Sequence, residues 1–123
     1  MDKSIKKALL AIFLLGTVLR IWGINFGLPY QFHQDEPIIV NHALAYGTGD
    51  LNPHFFIIPP LTSYILFFIY GIYYMLLCIL GMIKGVEAFA ISFCGNPTPF
   101  YLIGRIALGV IPSLLNIYLT YRL

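Results

Sequence analysis

The sequence predicts an all-α integral membrane protein with two or three transmembrane helices. Of its 123 residues, 59% are hydrophobic and 10% are charged, whereas a soluble domain carries about 25% charged residues. Three apolar runs each reach the length of about 20 residues that a helix needs to cross a bilayer. This composition excludes a soluble enzyme, and the formal net charge of +2 is too small for a surface that binds nucleic acid.

The first apolar run, residues 8–27, predicts an uncleaved transmembrane helix. It follows a basic start made of Lys3, Lys6 and Lys7, and no small-residue cleavage site comes after it, which argues against a signal peptide. The lysines place the N-terminus in the cytoplasm by the positive-inside rule, and we expect the protein to lie in the plasma (inner) membrane. One face of the helix is predicted to let another helix approach closely, since it collects Gly16, Arg20, Gly23 and Gly27.

Residues 28–60 form the polar centre of the chain and follow the outer end of that helix, which predicts an extracytoplasmic loop. The segment holds three of the five acidic residues and all three histidines. Pro37 suits the first position of a helix and Gly47 suits its end. The pattern therefore predicts a short helix from about 37 to 46 that lies on the membrane surface.

The second run, residues 61–83, leaves two interpretations open. Its length fits a membrane span, but its many tyrosines are typical of the membrane–water interface, where it would be a juxtamembrane helix. Residues 84–100 read as a loop, and residues 101–121 as a further transmembrane helix. The few charges slightly favour two spans over three, with 61–83 on the external side.

Polar and small residues share one face of the run 101–121: Arg105, Gly109, Ser113, Asn116 and Thr120. Lipid cannot satisfy such a face, so it predicts contact with protein or a water-filled cavity. Two or three helices offer little interior. We therefore expect the chain to be the N-terminal part of a larger bundle or a subunit of one, with the other helices supplied by the same protein or by a neighbouring chain.

The adjacent carboxylates Asp35 and Glu36 are the main candidates for chemistry. In such a pair one carboxylate can accept a proton from a hydroxyl while the other organises the site. The alternative is that two acids merely favour the positive end of a helix dipole. His33 beside them is a candidate binding residue or metal ligand, or an ordinary solvated histidine.

An ordered series of motifs resembles the N-terminal region of the GT-C membrane glycosyltransferases, in particular the protein O-mannosyltransferases and the aminoarabinose-to-lipid-A transferases. The motifs are Leu19-Arg20, Gly27-Leu28-Pro29, His33-Gln34-Asp35-Glu36, Gly49-Asp50-Leu51-Asn52-Pro53 and Pro59-Pro60-Leu61. Arg105 matches an arginine that opens the next span. The resemblance covers nearly the whole chain and implies a GT-C helical bundle with juxtamembrane helices in the external loop.

The resemblance implies transfer of a sugar from a polyprenyl-phosphate donor to an extracytoplasmic protein, lipid or glycan. Asp35 would be the catalytic base and Glu36 its catalytic neighbour, with His33 near the substrate. Arg20 and Arg105 would be charge partners near the loop or the donor phosphate. Membrane lipids and the missing helices are the other expected partners.

Two points stay open within this interpretation. Relatives carry a charged residue or a histidine where this chain has Ile57-Ile58-Pro59-Pro60, so a metal ligand cannot be transferred there, and a divalent cation remains a possible cofactor. Arg20 could instead be an interface anchor whose charge snorkels to the headgroups. The rival to an enzyme is a small membrane subunit whose loop acids bind a partner or a cation.

Overall fold

The computed structural model describes residues 3–30 and 34–122, and within these ranges it confirms an all-α protein, with 74% helix and no strands. The helices, in chain order, are α1 (Lys3–Ile21), α2 (Asp35–Ala45), α3 (Leu61–Ile79), α4 (Val86–Gly95), α5 (Thr98–Gly104) and α6 (Ile111–Arg122). A π-helical segment, Arg105–Val110, joins α5 to α6 into one long helix.

The short helix expected at 37–46 is present as α2, which begins two residues earlier, at Asp35. Its first turn therefore contains both acids, where they favour the helix dipole. A 3₁₀ turn, Tyr46–Thr48, extends it, and Gly49 ends it with φ of 96°. Such a left-handed conformation at a helix end is one that glycine adopts without strain.

Helix α1 ends at Ile21, whereas the sequence predicted a helix up to residue 27. Gly23 and Gly27 have φ of 73° and 79°, and consecutive turns replace the helix from residue 22 onward. The predicted glycine face is therefore wrong beyond Arg20, because these glycines serve turns rather than helix packing. Gly16 does meet a neighbour, since a Cβ there would lie 3.3 Å from the side chain of Ile117.

The segment 84–100, predicted as a loop, contains helix α4 and the start of α5. The apolar face of α4 explains this difference. Phe89 is buried and makes edge-on or tilted contacts with Tyr73, Tyr74 and Phe100. Aromatic packing of this kind stabilises a short helix that has little helix-forming signal of its own.

Within residues 3–30 and 34–122, two helices are long and apolar enough to cross a membrane, namely Leu61–Ile79 and Thr98–Thr120. Helix α1 is not one of them, and its 19 residues include Lys3, Lys6, Lys7 and Arg20. The uncharged part of α1, residues 8–19, is about 18 Å long at 1.5 Å per residue.

The buried core lies where α2, α3 and α5 meet. Val40, Leu66 and Tyr101 are almost fully buried, and a Cβ on Gly104 would lie 3.7 Å from Leu66 and 3.9 Å from Val40. The Tyr70 hydroxyl donates to the carbonyl oxygen of Phe100 at 2.9 Å. Helix α3 thus shows one face to the protein, while its other face leaves large apolar side chains exposed.

Helices α1 and α3 cover different parts of the long helix formed by α5, the π segment and α6. Leu66 lies near Gly104, and Tyr70 bonds to Phe100, so α3 runs antiparallel to α5 and away from α6. Helix α1 instead packs on α6, with Gly16 near Ile117. Both helices also reach the π-helical segment between α5 and α6, and from there they extend in opposite directions along the long helix.

Candidate functional site

Glu36 and Arg105 form a bidentate ion pair between α2 and the long helix. The Arg105 Nε atom donates to Oε1 of Glu36 at 2.7 Å, and Nη2 donates to Oε2 at 2.9 Å. The side chains are 19% and 21% exposed. Parallel N–H···O bonds of this kind fix orientation as well as charge.

The same guanidinium also binds the chain that leaves α1. Its Nη1 atom donates to the carbonyl oxygens of Ile24 and of Phe26, the latter at 2.9 Å. These carbonyls are available because the turns at Gly23 and Gly27 end the helix. Four of the five N–H groups of Arg105 are thus used within the protein, and one on Nη2 remains.

A cavity of about 680 Å³ opens beside this ion pair. It is lined by Asp35, Glu36 and Arg105 together with Arg20 and Trp22. Gly109 and Ser113 of the predicted polar face also line it, whereas the Thr120 hydroxyl donates to the carbonyl of Asn116 within the helix. Apolar side chains complete the wall: Ile39, Val40, Leu66, Leu108 and Val110 among them. Its size falls in the range of ligand pockets.

Asp35 and Arg20 are the charged groups of this cavity that form no ion pair with any residue that the structure describes. Asp35 is exposed in the first turn of α2, and no described side chain bonds to its carboxylate. The Nη1 atom of Arg20 donates to the carbonyl of Gly16 at 3.0 Å. The Nε and Nη2 groups of Arg20 remain able to bind an anion in a bidentate manner.

His33 lies outside the described residues, so its expected role stays a prediction. Of the other histidines, His42 donates from Nδ1 to the carbonyl of Ile38 at 2.6 Å and packs against Phe55. Within residues 3–30 and 34–122, no group of three or more His, Cys, Asp or Glu side chains could hold a metal ion.

Asp50 acts in a local turn, as its position between glycine and proline predicts. Its carboxylate accepts from the backbone N–H of Asn52 at 2.9 Å and from Nε2 of His54 at 2.8 Å. The hydrogen bond from His54 lowers the pKa of the Asp50 carboxyl below its usual value. This turn explains the polar residues of the Gly-Asp-Leu-Asn-Pro motif without a ligand.

Sequence reasoning grouped Arg20, Asp35, Glu36 and Arg105, and the structure places all four around one cavity. It missed Trp22 and the carbonyls of Ile24 and Phe26. The carbonyls follow from a turn whose geometry the glycines alone did not reveal. The tryptophan could have been found, since it is the only one in the chain and directly follows α1. Comparison with protein-family models, curated proteins and solved structures finds no match.

We expect Arg105→Gln to destabilise the protein more than Glu36→Gln does. The first change leaves a carboxylate and two carbonyls without their donor and should cost about 3 kcal/mol. The second keeps an acceptor oxygen for Arg105 and leaves the carbonyl bonds in place, so it should cost about 1.5 kcal/mol. Free energies of unfolding in detergent measure both.

Glu87→Gln is the matched control, because Glu87 is an exposed acid in the first turn of α4. It should change stability by less than about 0.5 kcal/mol. Equal losses of stability for Arg105→Gln and Glu36→Gln would show that the hydrogen bonds from Arg105 to the two backbone carbonyls add nothing to the stability of the protein.

Proposed function

We propose that this chain forms part of a membrane glycosyltransferase that moves a sugar from a polyprenyl-phosphate donor to an extracytoplasmic protein, lipid or glycan acceptor. One observation carries the proposal. Four of the five residues that the GT-C resemblance assigns to the site come from three separate segments and line a single cavity: Arg20, Asp35, Glu36 and Arg105. A cavity with charged groups at one side and an apolar wall suits an amphiphilic donor.

Asp35 is the proposed base. Its free carboxylate takes the proton of the acceptor hydroxyl as the acceptor oxygen bonds to the anomeric carbon. The bond from that carbon to the phosphate oxygen breaks, and the polyprenyl phosphate leaves with the electron pair. Asp35 suits this role better than Glu36, because Glu36 is engaged by Arg105 in two hydrogen bonds.

Arg20 is the proposed partner of the departing phosphate. It has N–H groups left for a phosphate oxygen pair, and a guanidinium stabilises the negative charge that develops there. Arg105 has a single N–H left, so its main role is to position α2 and the chain that follows α1. It is a positioning residue in this proposal, close to the phosphate but mostly committed to the protein.

We further propose that α1 and the long helix from Arg105 to Arg122 cross the bilayer and that α3 lies outside it, on the external side. The uncharged part of α1 is shorter than the hydrocarbon core, so α1 would cross where the bilayer is locally thinned. From Arg105 to Arg122 the long helix rises about 25 Å, which approaches the hydrocarbon thickness of about 30 Å. The part of α3 that continues beyond Gly104 brings the combined length of α3 and this long helix to about 45 Å. This exceeds the hydrocarbon thickness of about 30 Å, so α3 and the long helix cannot both lie within the hydrocarbon layer. The tyrosine-rich inner face of α3 and its apolar outer face suit the interface.

This topology predicts that Cys94 faces the outside of the cell. Cys94 is exposed near the end of α4. In a Cys78→Ser background, a membrane-impermeant thiol reagent should label it on intact cells. Ser4→Cys in a cysteine-free background is the control and should react only after permeabilisation. Protection of Cys94 on intact cells would mean that α3 crosses the membrane.

Asp35→Asn removes the proposed base and keeps its size. In membranes that contain the protein encoded by its whole reading frame, sugar transfer from a panel of polyprenyl-phosphate-linked sugars should fall by about 100-fold. Asp50→Asn is the matched control, since Asp50 is an acid of the same loop held in a local turn, and it should change transfer by less than about twofold. Near-normal transfer by Asp35→Asn contradicts the assignment of the base.

Trp22 provides a direct test of donor binding by this chain alone. It is the only tryptophan, lines the cavity and is 82% exposed. Polyprenyl phosphate should shift its fluorescence saturably in detergent, and Arg20→Gln should weaken binding about tenfold. Arg122→Gln at the far end of the helix is the control and should bind normally. Equal binding of uncharged polyprenol, or normal binding by Arg20→Gln, contradicts a phosphate site at Arg20.

A further inference from the structure

A second groove lies between α1 and α6, at the end opposite the carboxylate cavity. It has a volume of about 360 Å³ and is lined by Lys6, Leu9, Leu10, Phe13, Ile117 and Tyr118. The two helices are antiparallel, since Arg105 bonds to the chain after α1 while Ile117 lies near Gly16. The start of α1 and the end of α6 therefore come together there.

Among the described residues, the charged side chains at this end of the α1–α6 hairpin are cationic. Lys6 lines the groove, Lys7 follows it on α1, and Arg122 ends α6 about one turn beyond Tyr118. Of the acids in the described ranges, Asp35 and Glu36 line the other cavity, and the remaining two lie in the loop before α3 and in α4. No acidic side chain of the described residues forms an ion pair with Lys6, Lys7 or Arg122.

The residues of α1 that line the groove change from charged to apolar along the helix. Along α1, Lys6 comes first among the lining residues, Leu9 and Leu10 follow about one turn later, and Phe13 lies about 10 Å from Lys6 along the axis. This order matches a phospholipid whose headgroup stays at the membrane surface while an acyl chain points inward. The Tyr118 side chain, 47% exposed, adds an amphipathic ring of the kind that favours headgroup depth.

We propose that this groove binds one anionic phospholipid, with its phosphate at Lys6 and an acyl chain along Leu9, Phe13 and Ile117. Positive charge attracts anionic headgroups, and the apolar lining of the groove contacts the acyl chain of the lipid. A free phosphate has no acyl chain and would not gain these apolar contacts. The inference depends on α1 and α6 lying in a membrane. It does not depend on glycosyl transfer or on any residue of the carboxylate cavity.

The test counts lipids that stay bound to the chain. The protein is purified from micelles containing dioleoylphosphatidylglycerol and dioleoylphosphatidylcholine in equal amounts, and bound lipids are counted by native mass spectrometry. The wild-type chain should retain the anionic lipid in preference. Lys6→Gln should reduce that preference about fivefold, the effect of one lysine at an anionic surface. Lys7→Gln is the matched control and should reduce it about twofold or less, since Lys7 does not line the groove.

A second pair of variants tests the groove itself. Leu9→Trp fills it and should lower retention of the anionic lipid, whereas Leu14→Trp on the exposed part of α1 should not. Equal effects of Lys6→Gln and Lys7→Gln would show diffuse attraction and overturn the site. Equal retention of the two lipids, or displacement by glycerol phosphate as effective as that by phosphatidylglycerol, would overturn it as well. A failed Trp22 titration with intact lipid retention would count against the donor cavity alone.

Discussion

The hydrogen bonds of Arg105 are the constraint on which the rest of the structure depends. One guanidinium joins the first turn of α2, the turns after α1 and the long helix. A side chain that is about four-fifths buried needs such a complete set of partners, because a charge left without them would be costly. The polar segment between α1 and α3 therefore has a defined position relative to the helices.

This constraint also separates the roles of the two adjacent carboxylates. Glu36 and Asp35 are neighbours in the first turn of α2, so they point in different directions around the helix. Glu36 reaches Arg105, and Asp35 is left at the cavity without a partner among the described side chains. A fixed carboxylate beside a free one is the arrangement that a general base with an organising neighbour requires. Trp22 and Arg20 close the other side of the same space.

The buried aromatic core and the apolar α1–α6 hairpin make different contributions. The buried side chains among the described residues lie in α2, the turn after it, the loop before α3 (Pro53), α3, α4 and α5. Helices α1 and α6 contain none and leave rows of leucine and isoleucine exposed. Lipid or further helices would cover such a surface. Each end of the hairpin carries a groove with cationic groups, and the proposed ligands of both grooves combine a phosphate with a hydrocarbon chain.

The motif resemblance grouped the residues around Asp35, whereas composition and local pattern by themselves determined the helical class and the short helix around Pro37. These depend on apolar periodicity, capping and turn chemistry, which act over a few residues and are readable in the sequence. Tertiary structure alone decided how the turns after α1 are held, that α4 is a helix, and which carboxylate is paired. The turns after α1 are held by Arg105, some 80 positions away, and α4 depends on Phe89 packing against α3 and α5. Glu36 is the paired carboxylate because it reaches that same arginine. Contacts between distant segments leave no local signal in the sequence. The roles of Glu36 and Asp35 could therefore be distinguished only from the tertiary structure.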